Sequence, residues 1–290
     1  MNPLRIGITG AAGFLGRHLV AHLVARGYEV RSFQRSVSPE ASLKIDVRTF
    51  AMPQAIDPVD FSGLEFIIHA AVAEHTPQTP NADAVNREGT RQLLAAARAQ
   101  NVRVIFLSTL SAHEKAESHY GRSKLEVEAM LDPSRDCILR LGLVLGHGGL
   151  FTGVTDILKT SRIIPLPGGG GQPVQVLWME DFLNVVGNVV GYRIAGRFDV
   201  AAPPVYTMRQ LYETILRNLG ITRMLVPVPL GIVQLGVSVL EALRIPFPIR
   251  SENVLGLKHM CAFDTVKSLQ VLGLNQPVLL EDAVERLLRR

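Results

Sequence analysis

The first half of the chain alternates between short, mainly apolar runs and longer segments whose apolar residues recur every three or four positions. LRIGIT, EVRSF, LKIDV, FIIHAA and VRVIFLST are too short for helices and rich in Val, Ile and Phe, which predicts five strands, with CILRLGLVLG as a sixth. Residues 14–26, closed by Gly27, and TRQLLAAARAQ at 90–100 carry the helical spacing. Strands interspersed with helices predict βαβ units and an α/β doubly wound parallel sheet. In such a sheet, ligands sit beyond the carboxyl ends of the strands where strand order reverses.

After Gly146 the pattern loosens. GHGGL and PLPGGGGQP read as loops, the second as a mobile edge of a site, followed by a helix in MEDFLNVVGNVVGY and a strand in RFDVAA. TMRQLYETILRNLG is a helix with Thr207 as its N-cap and Gly220 as its stop. PLGIVQLGVSVLEAL, residues 229–243, is expected as a core helix, with an apolar lip touching lipid or a greasy substrate as the alternative. The expected division is a sheet domain at 1–145, to which about 174–202 return, and a smaller, mostly helical lobe at 146–173 and 203–290.

Composition narrows the picture by exclusion. The 290 residues are 47% hydrophobic and 19% charged, and the net charge of +4 is spread thinly apart from LLRR at the end, so neither disorder nor nucleic-acid binding is expected. Cys137 and Cys261 are too few for a disulfide framework or a thiolate metal site, which fits a reducing cytoplasm. No secretion signal and no integral membrane segment are expected from MNPLR and the run lengths.

Candidate chemistry begins in IGITGAAGFLG, where Gly10, Gly13 and Gly16 follow the first strand. The helix opening at Phe14 and Leu15 offers free backbone N–H groups and a positive dipole end, a setting for a diphosphate. Gly10 is expected to make the turn, Gly13 to admit the ligand and Gly16 to let helix and strand pack, which predicts a dinucleotide. Where an acid would bind a ribose 2′-hydroxyl, the chain has Gln34 and Arg35, so NADP(H) is preferred and NAD(H) is the alternative. Asp46 is a candidate acceptor for the adenine amino group, or an ordinary strand-end aspartate.

YGRSK places Tyr120 and Lys124 one helical turn apart, and an ammonium beside a phenol favours the phenolate needed for proton transfer to a carbonyl oxygen. The hydroxyls Ser108, Thr109 and Ser111 end the fifth strand, and one of them can hold the substrate oxygen. Thr109 is the first choice and Ser111 the second. His18 and His22 share a helix face without a third ligand, His113 and His119 lack metal spacing, and His69 at a strand end is expected to be structural. No metal site is expected.

In this order, TGAAGFLG, the HAA of His69 to Ala71, NREGTRQLL, STLS, YGRSK and LRLGLVLG resemble the extended and atypical short-chain dehydrogenase/reductases, the superfamily of NAD-dependent epimerases and dehydratases. The likeness covers the first two thirds well. It implies a Rossmann fold, a catalytic triad of Thr109, Tyr120 and Lys124, ribose binding by Lys124, further cofactor contacts at Val47, Ala70 and Ala71, and room for a homodimer paired through two helices of the sheet domain.

Two departures bear on function. Thr109 and Tyr120 are only eleven residues apart, and Trp178 stands where the family often has His. The implied role is an oxidoreductase acting on a small-molecule carbonyl or secondary alcohol. The alternatives are a nucleotide-sugar epimerase or dehydratase that retains NAD, and a non-catalytic dinucleotide-binding subunit resembling the complex I accessory subunit, with peripheral membrane contact.

Overall fold

A computed structural model describes residues 3–35, 45–73, 79–242 and 251–289. In chain order it begins with β1 (Arg5–Thr9), α1 (Phe14–Ala25), β2 (Glu29–Gln34), β3 (Asp46–Thr49), β4 (Phe66–His69), α2 (Ala82–Ala99), β5 (Arg103–Thr109), α3 (His119–Glu128) and β6 (Cys137–Leu141). There follow β7 (Leu143–Leu145), α4 (Gly149–Thr160), β8 (Ile163–Pro167), β9 (Pro173–Val174), β10 (Val176–Trp178), α5 (Met179–Tyr192) and β11 (Gly196–Val200). The chain continues through β12 (Tyr206–Thr207), α6 (Met208–Leu219), β13 (Met224–Val228), α7 (Leu230–Ala242), α8 (Ser251–Lys258), α9 (Val266–Val271) and α10 (Leu280–Leu288). Ser36 of SFQRS, the first two residues of LKIDV and the last residue of 229–243 lie outside the described residues.

Seven strands form one parallel sheet in the order β11-β6-β5-β4-β1-β2-β3, a doubly wound α/β fold. From β1 the chain walks one way to β2 and β3, then returns to the other side of β1 as β4. The order therefore reverses between β1 and β4. The central apolar runs form strands covered on both faces, with Ile6, Ile8, Ile67 and Ile68 fully buried, whereas the edge strand β3 is largely exposed.

The chain divides into two compact units. The first comprises residues 1–108, 123–140 and 183–198, and the second 109–122, 141–182 and 199–290. In the first, Phe33, Phe61, Ile67, Leu93, Phe106 and Ile138 belong to one apolar core. A polar clasp crosses it at the reversal point. His69 on β4 meets Thr9 Oγ1 on β1 through Nδ1 (2.8 Å) and Thr90 Oγ1 on α2 through Nε2 (3.0 Å), with all three residues buried. Thr9 Oγ1 also accepts the Ala71 N–H at 3.2 Å, so the economical assignment sends its proton to Nδ1 and leaves Nε2–H to donate to Thr90. Burial, and secondarily the charge of Lys124, pushes the His69 imidazole down to about 3. It is a neutral strut, as its strand-end position predicts.

A second anchor is the buried carboxylate of Asp136. It accepts from both terminal nitrogens of Arg98 on α2, from the Val104 amide on β5 (3.1 Å) and from the Asp132 amide (3.1 Å).

In the second unit, three two-stranded sheets (β7–β10, β9–β12 and β8–β13) pack with helices around a core that includes Leu158, Ile164, Trp178, Ile215 and Val284. The predicted α6 has the expected ends. Thr207 Oγ1 accepts from the Gln210 amide (3.1 Å), Gln210 Oε1 accepts from the Thr207 amide (2.7 Å), and Gly220 adopts φ 66°. PLPGGGG forms a defined turn, its Gly168, Gly169 and Gly170 all at positive φ, with Gln172 Nε2 donating to the Pro167 carbonyl at 2.7 Å.

Three elements differ from their sequence expectation. Helix α2 begins at Ala82, two turns before residue 90, because Asn86 faces the backbone of Ala73, accepting from its amide (2.7 Å) and donating to its carbonyl (2.9 Å). Gly89, further along the same helix, lies where a Cβ would strike Met52. CILRLGLVLG is two strands, not one. At Gly142 a Cβ would come within 2.5 Å of the Gln175 carbonyl oxygen, and β7 leaves to pair with β10. The 229–243 run is helical at Leu230–Ala242, and its described residues are not uniformly core. Ile232 and Leu235 of α7 face solvent while Val237 is buried.

Two outcomes test these anchors. Asp136→Ala leaves the Arg98 guanidinium and two amides without their acceptor and is expected to cost about 3 kcal/mol in denaturant unfolding. A loss below about 1 kcal/mol would show the anchor to be dispensable. His69 stays neutral in the fold while its unfolded counterpart takes a proton below about 6.5. Its contribution is therefore complete above that pH and is lost as pH falls toward 3, at up to about 1.4 kcal/mol per pH unit. The stability of His69→Gln should fall less steeply between pH 6 and 4 than that of the parent, as read from unfolding midpoints; parallel slopes would contradict the strut.

Candidate functional site

At the reversal point of the sheet, Gly10 turns the chain from β1 toward α1 with φ 65°. A Cβ at Gly10 would lie 2.8 Å from the Ala71 amide nitrogen and 2.9 Å from the Ala70 carbonyl carbon, so two loops meet backbone to backbone. The Gly13 amide donates to the Gly10 carbonyl at 2.9 Å, and Gly13 is the N-cap of α1. No side chain caps this helix, and its first turn holds no acid. The ladder starts with the Arg17 amide on the Gly13 carbonyl (3.0 Å), and the amides of Phe14, Leu15 and Gly16 open the helix without an intrahelical acceptor. Gly16 has a tighter task than helix–strand packing: a Cβ there would overlap the Gly10 carbonyl oxygen and the Ala11 Cα. The three glycines leave a row of backbone donors at the positive end of a helix, and an anionic diphosphate fits it.

Around this turn, Gln34 Nε2 donates to Ser32 Oγ at 2.7 Å at the end of β2, and Arg35 is exposed just beyond. Asp46 stands at the start of β3, not at the end of a strand. Register sets it opposite Arg31, whose Nε donates to Asp46 Oδ2 at 2.6 Å, while Arg48 lies 3.2 Å from Oδ1. Two guanidiniums thus hold the carboxylate, and half-buried Val47 follows it.

Helix α3 carries Tyr120 and Lys124 one turn apart. It starts after Ser118, whose Oγ accepts the Gly121 amide at 3.1 Å. In the second unit, the lack of a side chain at Gly121 lets this first turn rest on the Ser111 carbonyl, where any Cβ would collide. Thr109 Oγ1 accepts the Ser111 amide at 3.2 Å, so the two candidate hydroxyls share one tight turn, both half-buried. Tyr120 is 47% exposed.

In the first unit, Lys124 is buried, with Nζ donating to the Leu107 carbonyl (2.8 Å) and lying 4.6 Å from the Phe106 ring centroid. Burial lowers its ammonium to about 8, against the opposing pull of Glu128. Glu128 sits one further turn along α3, buried, accepting from Ser108 Oγ (2.5 Å) and from Arg140 Nε and Nη2 (2.9 and 2.6 Å). This network fastens α3 to β5 and β6 next to Lys124. Sequence reasoning passed over Glu128 and Arg140, although KLEVE places Glu128 four residues after Lys124, on the same helix face.

The histidines do not assemble. His18 Nδ1 donates to the Phe14 carbonyl (2.7 Å), His113 Nε2 meets the His259 carbonyl (3.0 Å), and no group of metal-ligating side chains occurs among the described residues. Trp178 is a core residue with the Arg286 guanidinium 5.9 Å from its ring centroid. No helix among the described residues is long and apolar enough to cross a membrane.

Comparison with known proteins agrees with this architecture. Ceramide reductase of Caulobacter vibrioides is 35% identical over 170 residues, 56% of this chain and 53% of that protein, so the matched region spans about half of the relative. Two solved structures superpose along nearly the whole chain. The Bordetella bronchiseptica enzyme WbmG in complex with NAD and UDP has a TM-score of 0.76 at 20% identity, covering 99% of this chain and 94% of that one. The human epimerase family protein SDR39U1 with NADPH has a TM-score of 0.77 at 17% identity, covering 99% and 100%. At these identities the two structures establish the fold. A family model matches residues 6–153, just over half of the chain and all of the glycine-turn and Tyr-Lys region, and the chain belongs to the NAD dependent epimerase/dehydratase family.

Proposed function

We propose that the chain is a nicotinamide-dependent oxidoreductase of the short-chain dehydrogenase/reductase type, acting on a carbonyl or secondary alcohol and preferring NADP(H). The observation that carries this reading is the pair on α3, a tyrosine with one lysine a turn later that is buried and still cationic below about pH 8. A lysine placed only for solubility would be in water.

The donor row at Phe14, Leu15 and Gly16 would hold the dinucleotide diphosphate, with Ala70 and Ala71 beside it, and Arg35 would pair with a 2′-phosphate. When bound, the nicotinamide supplies or accepts hydride. Tyr120 Oη holds the proton that the substrate oxygen gains on reduction and takes it back on oxidation. The Lys124 ammonium, which donates to the Leu107 carbonyl, would favour the phenolate and would help hold the cofactor ribose. Thr109, or Ser111 in the same turn, donates to the substrate oxygen. Glu128 and Arg140 keep α3 in place without touching reactants. The reductase relative supports the oxidoreductase reading, and the NADPH-bound neighbour is compatible with the cofactor preference.

Tyr120→Phe is expected to lower turnover of a carbonyl panel by roughly 10²–10⁴-fold while leaving NADPH affinity within about threefold, read by loss of NADPH absorbance and by titration. Turnover equal to the parent's would remove Tyr120 from the mechanism. Arg35→Ala should weaken NADPH about tenfold and leave NADH unchanged. An equal effect on both nucleotides, or a parent that binds NADH more tightly, would end the NADP preference.

A further inference from the structure

Lys124 and Glu128 lie one turn apart on the same side of α3, and both are buried. Two successive residues of β5 hold them. Lys124 Nζ donates to the Leu107 carbonyl at 2.8 Å, and the Glu128 carboxylate accepts from Ser108 Oγ at 2.5 Å. The residue after these two anchors is Thr109, where the strand ends. The helix is thus registered on the strand through one cation and one anion, and in sequence Tyr120 stands one turn before the cation.

A buried ammonium needs more than a carbonyl and an aromatic face, because partial charges replace only part of its hydration. The groups around Lys124 show where the rest comes from. On β5 it meets the Leu107 carbonyl and the Phe106 ring. His69 on β4 is neutral and carries no compensating charge; the ammonium only helps to keep it so. Arg140 on β6 and Arg197 on β11 are directed at Glu128, the first through Nε and Nη2 and the second with its Nε 3.8 Å from Oε2. Among the described residues, Glu128 is the full negative charge that acts on the lysine against burial. Its two-point bond to Arg140, a side chain 11% exposed, fixes where that charge sits.

We propose that Glu128 is a positioning residue: its carboxylate keeps the Lys124 side chain cationic and docked on β5, and so ready for the proposed reaction. The catalytic consequence rests on the reading above, in which an ammonium is required one turn after Tyr120. Glu128→Gln keeps the shape and much of the hydrogen bonding and removes the charge. Burial is then less opposed, and Lys124 gives up its proton at lower pH.

Nuclear magnetic resonance of the full chain carrying isotope-labelled lysine reads that titration without substrate, the Lys124 ε-methylene signal being assigned by its loss in Lys124→Met. The parent should titrate at about 8 and Glu128→Gln roughly one pH unit lower. Ser108→Ala loosens the helix from the strand without changing charge, and its Lys124 midpoint should stay within about 0.3 unit of the parent's. In NADPH-dependent carbonyl reduction the alkaline fall in activity should move with the midpoint. Glu128→Gln should lose about fivefold against the parent at pH 8 and less than about twofold at pH 6, where Lys124 is protonated in both proteins. A residue that only braces the fold would cost the same at both pH values. Where Glu128→Gln does not fold, Glu128→Met/Arg140→Met removes the two buried charges together, and Lys124 should again titrate below the parent. An unchanged midpoint on removal of the carboxylate, an equal fall in Ser108→Ala, or a lowered midpoint with an unmoved pH profile would overturn the proposal. Failure of the catalytic reading shows separately, as parental turnover in Tyr120→Phe, and leaves the lysine signal unaffected.

Discussion

The backbone contact between the Gly10 turn and Ala70–Ala71 is the constraint on which the rest of the first unit depends. It lies where a doubly wound sheet reverses direction, so the loops after β1 and β4 must leave in opposite senses without a side chain between them. Gly10 allows the approach, and Gly16 lets α1 descend onto the same turn. The Thr9–His69–Thr90 clasp then ties the two strands and α2 directly beneath. Each element is short-range, and together they leave a row of amides that only an anion or water can satisfy.

A second physical theme is the burial of charge around α3. A lysine out of water is costly unless paired, and Lys124 has a carbonyl, an aromatic face and a carboxylate one turn away. Glu128 in turn is committed to Arg140 and Ser108, and its charge opposes the effect of burial on the lysine. Burial lowers the Lys124 ammonium to about 8 against the pull of Glu128, a balance set by its environment and not by a single ion pair.

The fold was legible because strands buried on both faces write themselves as unbroken apolar runs, and because glycine marks turns for steric reasons. Thr207, Gln210 and Gly220 announce α6 by chemistry confined to a few neighbouring residues. What stayed hidden depends on distant partners. The first two turns of α2 contain Asn86 and Gly89, whose places in the helix are explained by Ala73 and Met52, distant in sequence. Gly142 ends β6 because Gln175 lies against it, and Asp46 is occupied by Arg31 through a register between β2 and β3 that no local pattern encodes. Around the candidate site, Tyr120, Lys124 and the Thr109–Ser111 turn were visible as spacing, whereas the Glu128–Arg140 pairing joins a helix to a strand and has only a weak local signature.

The central claim is that the amides opening α1 bind the diphosphate of a pyridine nucleotide. Isothermal titration of the purified chain with NADPH, NADP⁺, NADH and NAD⁺ tests it most directly. The account predicts saturable uptake of one nucleotide per chain, strongest for the phosphorylated pair; no uptake of any of the four would contradict it.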